Sequence, residues 1–516
     1  VISGKLKNPI SVKNCNCNSK CNYNCSSSSL ADGVEANQNR LFPPPKWNKF
    51  KRPTQGLLAA IFFIISFGLL TLVFMSCTAQ GAQGDQLNSS QIALADRARY
   101  CQDSSDFRHI YYLSVESYPA EWREKIAQTG MFLIASASNA VVLEHQLPKQ
   151  ISPVLYRLDI RGANWNVVDF QTVIRQCPYT GHSKKSAPLI IPWLWLIVEI
   201  SDTEASEVKA YYRLLYSSRD TPAKIPATAD DFFEFWEVSD KQEFRVGFVE
   251  DQSGVSANAS RTRWIESRAK LAGYAWFTKD VLLVKKGADP TEDFDGEFRS
   301  DGSEYIVGIP KTSLSKAGIR QTSAAQVYLL SDGQGKRADA APTSLVHGGN
   351  FRGLPDIRTF GSCISCHGQG LNGPTSNVFM EAILHADGVE VYTKDYKKKE
   401  LIEQLNLTDT GKAISRARED YSAFVLACNG LEAQANSVQF LAVIDFYDED
   451  VSIEVAAAEL LTTAEELQFA LAYASESQNI GFRLSALAHT KAIPRNVWEG
   501  EYLTVKNYLT HWRNVK

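Results

Sequence analysis

Ser362-Cys363-Ile364-Ser365-Cys366-His367-Gly368 lies about two-thirds of the way along a chain of 516 residues, and its reading decides how the rest divides. Two cysteines separated by two residues and followed at once by histidine match the spacing that attaches a c-type haem. The thiols form thioethers with the porphyrin vinyl groups, and the histidine rises beneath the iron as proximal ligand. The expected cofactor is therefore one covalently attached c-type haem, held by Cys363, Cys366 and His367. Gly368-Gln-Gly-Leu-Asn-Gly373 follows, and its glycines would let the chain pass close to the haem edge.

Two other chemistries use the same cysteines. A zinc site would need four ligands, and no second pair accompanies Cys363 and Cys366. A redox dithiol would need the pair at the strand-to-helix junction of a βαβ unit. For the sixth iron position the distal candidates are Met380 and His385; Met131 and His347 lie upstream, within reach only by tertiary packing. Methionine ligation favours electron transfer, whereas an open position permits chemistry on a small ligand. Met380 also reads as a gap-filling core side chain and His385 as a surface or capping histidine. No residue is assigned a catalytic role.

Working outward, 44% apolar and 22% charged residues are enough to bury a core. A net charge of −4, from 54 basic and 58 acidic residues, provides no concentrated basic surface, so nucleic acid is not expected as a partner. Residues 1–56 begin as low complexity, with Cys15, Cys17, Cys21 and Cys25 crowded among Asn and Ser. Such a stretch cannot offset its ordering entropy, and reads as a disordered tail or a mis-called start, the first methionine being Met75. A cysteine-rich metal knuckle is the sharper alternative. Lys46, Lys49, Lys51 and Arg52 then flank an apolar run over 57–77 that ends Phe74-Met75-Ser76-Cys77. Three readings stay open: a lipoprotein signal with Cys77 as the lipidated residue, an uncleaved membrane anchor, or an ordinary signal peptide. All place the remainder on the periplasmic side of a bacterial membrane.

Residues 78–95 form a polar tether. Over 96–345 the pattern is mixed. Pro119-Ala-Glu-Trp predicts a helix start. Strands are expected at Val154–Ile160, Phe244–Val249, Tyr274–Phe277, Val281–Val284, Tyr305–Ile309 and Val327–Leu330, forming an antiparallel sheet with helices grouped before it. Leu189–Ile200, with Trp193 and Trp195, is too short to cross a bilayer and reads as a buried strand or core helix. Asp332-Gly-Gln-Gly335 reads as a hairpin turn rather than a phosphate cradle. Ser313-Leu-Ser-Lys316 matches a Ser-x-x-Lys motif without its companions. Over 346–516 the pattern turns helical. Thr463-Ala-Glu-Glu466 is a capping-box signal, and Ser452–Leu461 with the helix after it reads as a packed pair rather than a DNA-binding motif. Val497, Trp498, Tyr502, Val505, Tyr508, Leu509 and Trp512 give a last helix an aromatic, core-facing side. Cys101, Cys177 and Cys428 allow three disulfide pairings, among which sequence does not choose.

From about Tyr100 onward the chain resembles a family of large secreted bacterial monohaem cytochrome c domain-containing proteins. The resemblance is carried by Arg245–Ser256, Gly273–Trp276, Gly302–Pro310, Tyr328–Gly333, Arg337, Ala341-Pro342, Ser362–His367 and Ala456–Leu460. It implies an α/β module placed directly before a helical haem module, and no particular substrate. The expectation is an α+β chain: a mixed helix and antiparallel-sheet module, then a mostly α-helical cytochrome c-like module. Its expected role is electron transfer between redox partner proteins of the cell envelope, with attachment to the membrane by a lipid anchor or N-terminal helix. Two other roles stay open: a haem-dependent oxidoreductase whose 96–345 module binds substrate, and a binding module stabilised by haem.

Overall fold

The computed structural model describes residues 88–101, 103–179, 188–202, 209–250, 262–270, 272–281, 300–314, 320–341, 351–352, 357–372, 407–476, 484–489 and 492–515. All of them belong to one compact unit, Asp85–Lys516. The expected low-complexity, signal and tether segments up to residue 87, with Cys77, lie outside the described residues, as do Met380, His385, His347 and the expected boundary at 345/346.

The described residues open with helix α1 (Ser89–Tyr100), which takes in residues 89–95 of the expected tether because Ser89 and Ala93 are buried; its cap Asn88 bonds Gln91 reciprocally, backbone to side chain. A 3₁₀ turn leads to β1 (Ile110–Ser114). Helix α2 (Ala120–Ser136) begins directly after Pro119 as expected, since a proline there gives up an N–H that no intrahelical acceptor would take. After it come α3 (Leu143–Gln146), β2 (Lys149–Ser152), β3 (Leu155–Asp159) and α4 (Val167–Ile174). The apolar run 189–200 combines both readings given for it: β4 (Ile190–Pro192) turns at Pro192 into α5 (Trp193–Ser201). Every residue of α5 is buried, as a helix apolar on all sides must be. Strands β2-β3-β1-β4 form one sheet, β1 antiparallel to β3 and parallel to β4; sequence reading found β3 but not the sheet.

Helices α6 (Ala210–Leu215) and α7 (Ala229–Phe235) precede the main sheet. That sheet is a meander of β5 (Val238–Glu250), β6 (Thr262–Lys270), β7 (Tyr274–Val281), β8 (Ser300–Leu314), β9 (Arg320–Asp332) and β10 (Arg337–Ala338), each antiparallel to the next. Asp332–Gly335 is the expected hairpin turn: Gly335 has φ +78°, and Asp332 Oδ1 accepts from the N–H of Gln334 and of Lys336, both at 2.9 Å. One face of the sheet packs Phe277 and Tyr305 against Phe233 of α7. Beyond it lie β11 (Ala340–Ala341), β12 (Ile357–Arg358) and α8 (Gly361–His367).

The described residues after residue 372 are mostly helical: α9 (Leu407–Asn429), α10 (Ala433–Asp448), α11 (Ile453–Glu459), α12 (Ala464–Glu476), α13 (Ser485–Ala488) and α14 (Arg495–Val515). Thr463 caps α12, its hydroxyl accepting from the Glu466 N–H at 3.1 Å. The chain is thus α+β, with sheets in its earlier part and helices in its later part. One continuous core joins them. Helix α9 lies along β9, α2 packs on α9 and α10, and Trp122 stacks on Phe446 with ring centroids 4.2 Å apart.

A buried polar network fastens α14. Arg495 Nη1 donates to Glu459 Oε1 at 2.6 Å and to the Tyr179 hydroxyl at 3.3 Å, and its Nε to Tyr447 O at 2.9 Å. Trp498 Nε1 donates to Glu459 Oε2 at 2.6 Å, and the Tyr502 hydroxyl to Glu459 O at 3.0 Å. A buried ion pair is tolerable only when its remaining oxygens and N–H groups are satisfied in this way. On α14, Trp498, Tyr502, Val505 and Leu509 are buried in the core as expected, while Val497, Tyr508 and Trp512 are half-buried.

Close packing inside α2 gives a first prediction. A Cβ on Gly130 would sit 2.1 Å from Trp193 Nε1, and Trp193 is fully buried. Gly130→Ala gains up to about 1 kcal/mol of helix propensity but overpacks a fixed ring, at a cost of about 1–3 kcal/mol. The clash wins, so urea unfolding should show net destabilisation; a more stable variant would mean that the indole yields.

Candidate functional site

Cys363, Cys366 and His367 fall at positions i, i+3 and i+4 of α8, so all three side chains emerge from one face of the helix. Cys363 is 2% exposed and Cys366 is half-buried; neither is in a disulfide. Burial pushes the Cys363 thiol well above its ordinary range, with Glu304 adding to the shift. His367 looks onto the main sheet: its Nε2 lies 3.3 Å from Glu304 Oε1, and its ring centroid 6.3 Å from that of Tyr328. Its Nδ1 is buried without a hydrogen-bond partner.

Pairing within the sheet sets this surface. Thr278, Glu304 and Leu330 share one row across β7, β8 and β9; Trp276, Ile306 and Tyr328 the next; Tyr274, Gly308 and Gln326 the third. Alternation puts all three rows on one face, the face His367 meets. The Tyr274 ring covers Gly308, where a Cβ would meet it at 2.4 Å. The Tyr328 hydroxyl donates to Gln326 Oε1 at 2.7 Å. On or near this surface the buried Tyr274 hydroxyl meets the Gln326 side chain, and the buried Tyr421 hydroxyl lacks a hydrogen-bond partner. Native interiors rarely leave such groups unanswered unless water or a ligand meets them.

The approach to α8 is pinned. Asp202, at the C-terminus of α5 and 1% exposed, accepts from Arg358 Nη1 at 2.8 and 2.9 Å and from Arg352 Nη1 at 2.8 Å. Arg352 also forks onto Asp448 through two 2.7 Å bonds. A Cβ on Gly368 would meet Ser437 Oγ at 2.1 Å, and Gly370, at φ +96°, would meet the Arg418 backbone at 3.1 Å. These glycines let the chain pass close to α10 and α9.

Of the sequence-derived residues, Cys363, Cys366 and His367 come together. Met131 packs half-buried against the main core on α2. Cys101, Cys177 and Cys428 are separate thiols, so none of the three possible pairings forms. Glu304, Tyr328, Gln326 and Asp202 escaped sequence reading. Among the described residues no three His, Cys, Asp or Glu side chains converge as a metal ion would need, which withholds support from zinc. A dithiol exchanger needs an accessible low-pKa thiol, whereas the leading cysteine here is buried with its thiol pushed up. Comparison with protein-family models, curated proteins and solved structures finds no match.

The residues fit a covalent haem in three respects. Two thiols and an imidazole share one helical face, neither thiol is in a disulfide, and a buried imidazole nitrogen lacks a partner. Iron ligation would take one ring nitrogen and leave the other to a neighbouring acceptor, as ligating histidines usually require.

Proposed function

We propose that this chain is an exported c-type monohaem protein that carries out electron transfer in the bacterial envelope. Cys363 and Cys366 are the thioether donors and His367 is the proximal ligand. The observation that carries the reading is the placement of these three side chains on one face of a buried, pinned helix. When bound, the haem supplies a one-electron couple whose potential follows the axial ligands and the burial around it. The chain's own residues orient and shield. Glu304 lies at His367 and can hold its ring through a hydrogen bond, while Tyr328 walls the same side. Redox proteins of the envelope are the partners in this reading. The chain sits on the periplasmic side of the membrane, attached through Cys77 or an N-terminal helix, and has no nucleic-acid role. Kinship with the secreted monohaem family belongs to the same proposal.

A second reading, a haem-dependent oxidoreductase acting on a substrate or on peroxide, is favoured by the unpartnered Tyr421 hydroxyl, which could meet a small polar molecule. Mature protein from a maturation-competent host should retain the added mass of one haem through acid-acetone extraction. A polypeptide-only mass refutes both readings. A six-coordinate spectrum indifferent to carbon monoxide supports electron transfer; shifts with carbon monoxide or peroxide support the second reading. In either case Met380 and His385 are the distal ligands to test first.

A further inference from the structure

We propose that Asp202, Arg358 and Phe360 act as positioning residues, a clamp that sets α8 in place before any cofactor is attached. The purpose assigned to the clamp rests on the haem reading; its mechanics do not. Phe360, the residue just before α8, has φ 77° and ψ −69°. Those angles are those of a γ-turn of the rare, strained kind, which a bulky L-residue adopts only where its surroundings overrule it.

The surroundings that do so are all in place. The Phe360 ring is fully buried and stacks on Tyr211, centroids 4.0 Å apart and planes 16° apart. Its backbone bridges Asp202 in antiparallel fashion, and its carbonyl accepts from the Ile364 N–H at 2.9 Å, a first hydrogen bond of α8. Asp202 meanwhile takes both contacts from Arg358 Nη1, two residues before the turn, and the Arg358 N–H donates to Ser362 Oγ at 3.0 Å. Gly361 leaves no slack: a Cβ there would lie 2.5 Å from Ser201 O and 2.4 Å from the Phe351 ring. The end of α5 and the start of α8 are thus held backbone to backbone. Strain of this kind persists where a structure needs one residue aimed in one direction. Three residues after the strained turn comes Cys363, and seven after it His367. A clamp here fixes which way the Cys-x-x-Cys-His face looks, leaving little ordering to be done when a bulky group is attached.

The test uses the full chain, made once without haem attachment and once in a maturation-competent host. Hydrogen exchange in the unattached chain should show α8 amides accelerated roughly tenfold or more by Arg358→Ala while α9 amides keep their rates. Arg358→Lys should restore part of the protection, because it keeps the charge but not the planar fork. Arg513→Ala, which removes a half-exposed pair with Glu466, should leave α8 unchanged. Should the alanine chain not fold, Arg358→Lys carries the comparison. In the loaded protein, Arg358→Ala should shift the midpoint potential or the low-spin fraction of the spectrum, and Arg513→Ala should not. Unchanged α8 exchange, or α8 and α9 accelerating together, overturns the clamp. A wild-type chain that never acquires haem defeats the functional reading while the exchange data still decide the mechanics.

Discussion

A chain carrying both Cys363→Ala and Cys366→Ala is expected to leave a maturation-competent host at the mass of its polypeptide alone, yet to unfold cooperatively. The loss of attachment is all-or-none, since each thioether needs its own sulfur. The loss of stability is small by comparison. Cys363 is buried and behaves as a compact apolar side chain, so trimming it costs about 1 kcal/mol; half-buried Cys366 costs less. Helix α8 keeps its other anchors, namely the Asp202 ion pairs, the buried Ile364 and the stacked Phe360. Intact mass and a thermal circular-dichroism scan check the two halves. If the cooperative transition disappears along with the haem mass, the group is a staple for this part of the core. The binding-module role would then replace electron transfer.

Folded-state stability is expected to rise as pH is raised from 7 towards 10, through Lys311. This lysine is fully buried, and its Nζ donates to Ser138 O at 2.6 Å, Ala140 O at 2.9 Å and Gln146 Oε1 at 3.4 Å. Burial pulls its pKa down to about 7, with Cys428 opposing the shift. In the unfolded chain the same group holds its proton to about pH 10.4. Across that window the unfolded state binds the extra proton, so raising the pH favours the folded state, by up to about 5 kcal/mol. As pH falls from 10 through 7 the gain is lost, and below 7 both states are charged and this group adds no further slope. Urea unfolding of the wild type and of Lys311→Met at several pH values isolates the effect, because other titrating groups cancel in the difference. The methionine variant should lack the rise and should also lose the ties to Ser138 and Ala140. Parallel profiles for the two chains would refute the assignment.

The parts of this structure visible in the sequence are those governed by local periodicity and local chemistry. Val154–Ile160, Tyr305–Ile309 and Val327–Leu330 alternate, and they lie on β3, β8 and β9. Pro119 and Thr463 mark helix starts because the reasons for a proline or a threonine there act within one turn. Cys363, Cys366 and His367 were legible because the chemistry they suggest demands a fixed spacing within five residues. What stayed hidden depends on partners distant in sequence. Glu304 reads as one more polar residue on an alternating strand, and nothing near it announces that His367 will lie 3.3 Å away. Lys311 reads as solvated, since lysines almost always are, until its amine is seen among carbonyls from 140 and 138. Asp202 gains its meaning only from two arginines some 150 residues later. Phe360 carries no signal at all, because a strained turn is imposed by its neighbours and not chosen by the residue.

The Arg495–Glu459–Tyr179 network has a consequence for biosynthesis. Tyr179 leaves the ribosome 316 residues ahead of the guanidinium that will bind it, and Glu459 precedes that guanidinium by 36. A growing chain must keep this acid hydrated until Arg495 has emerged, because an uncompensated carboxylate cannot enter the interior. A copy that stops just short of Arg495 would retain every described sheet and every described helix but α14, and still present proteases with an unsealed seam.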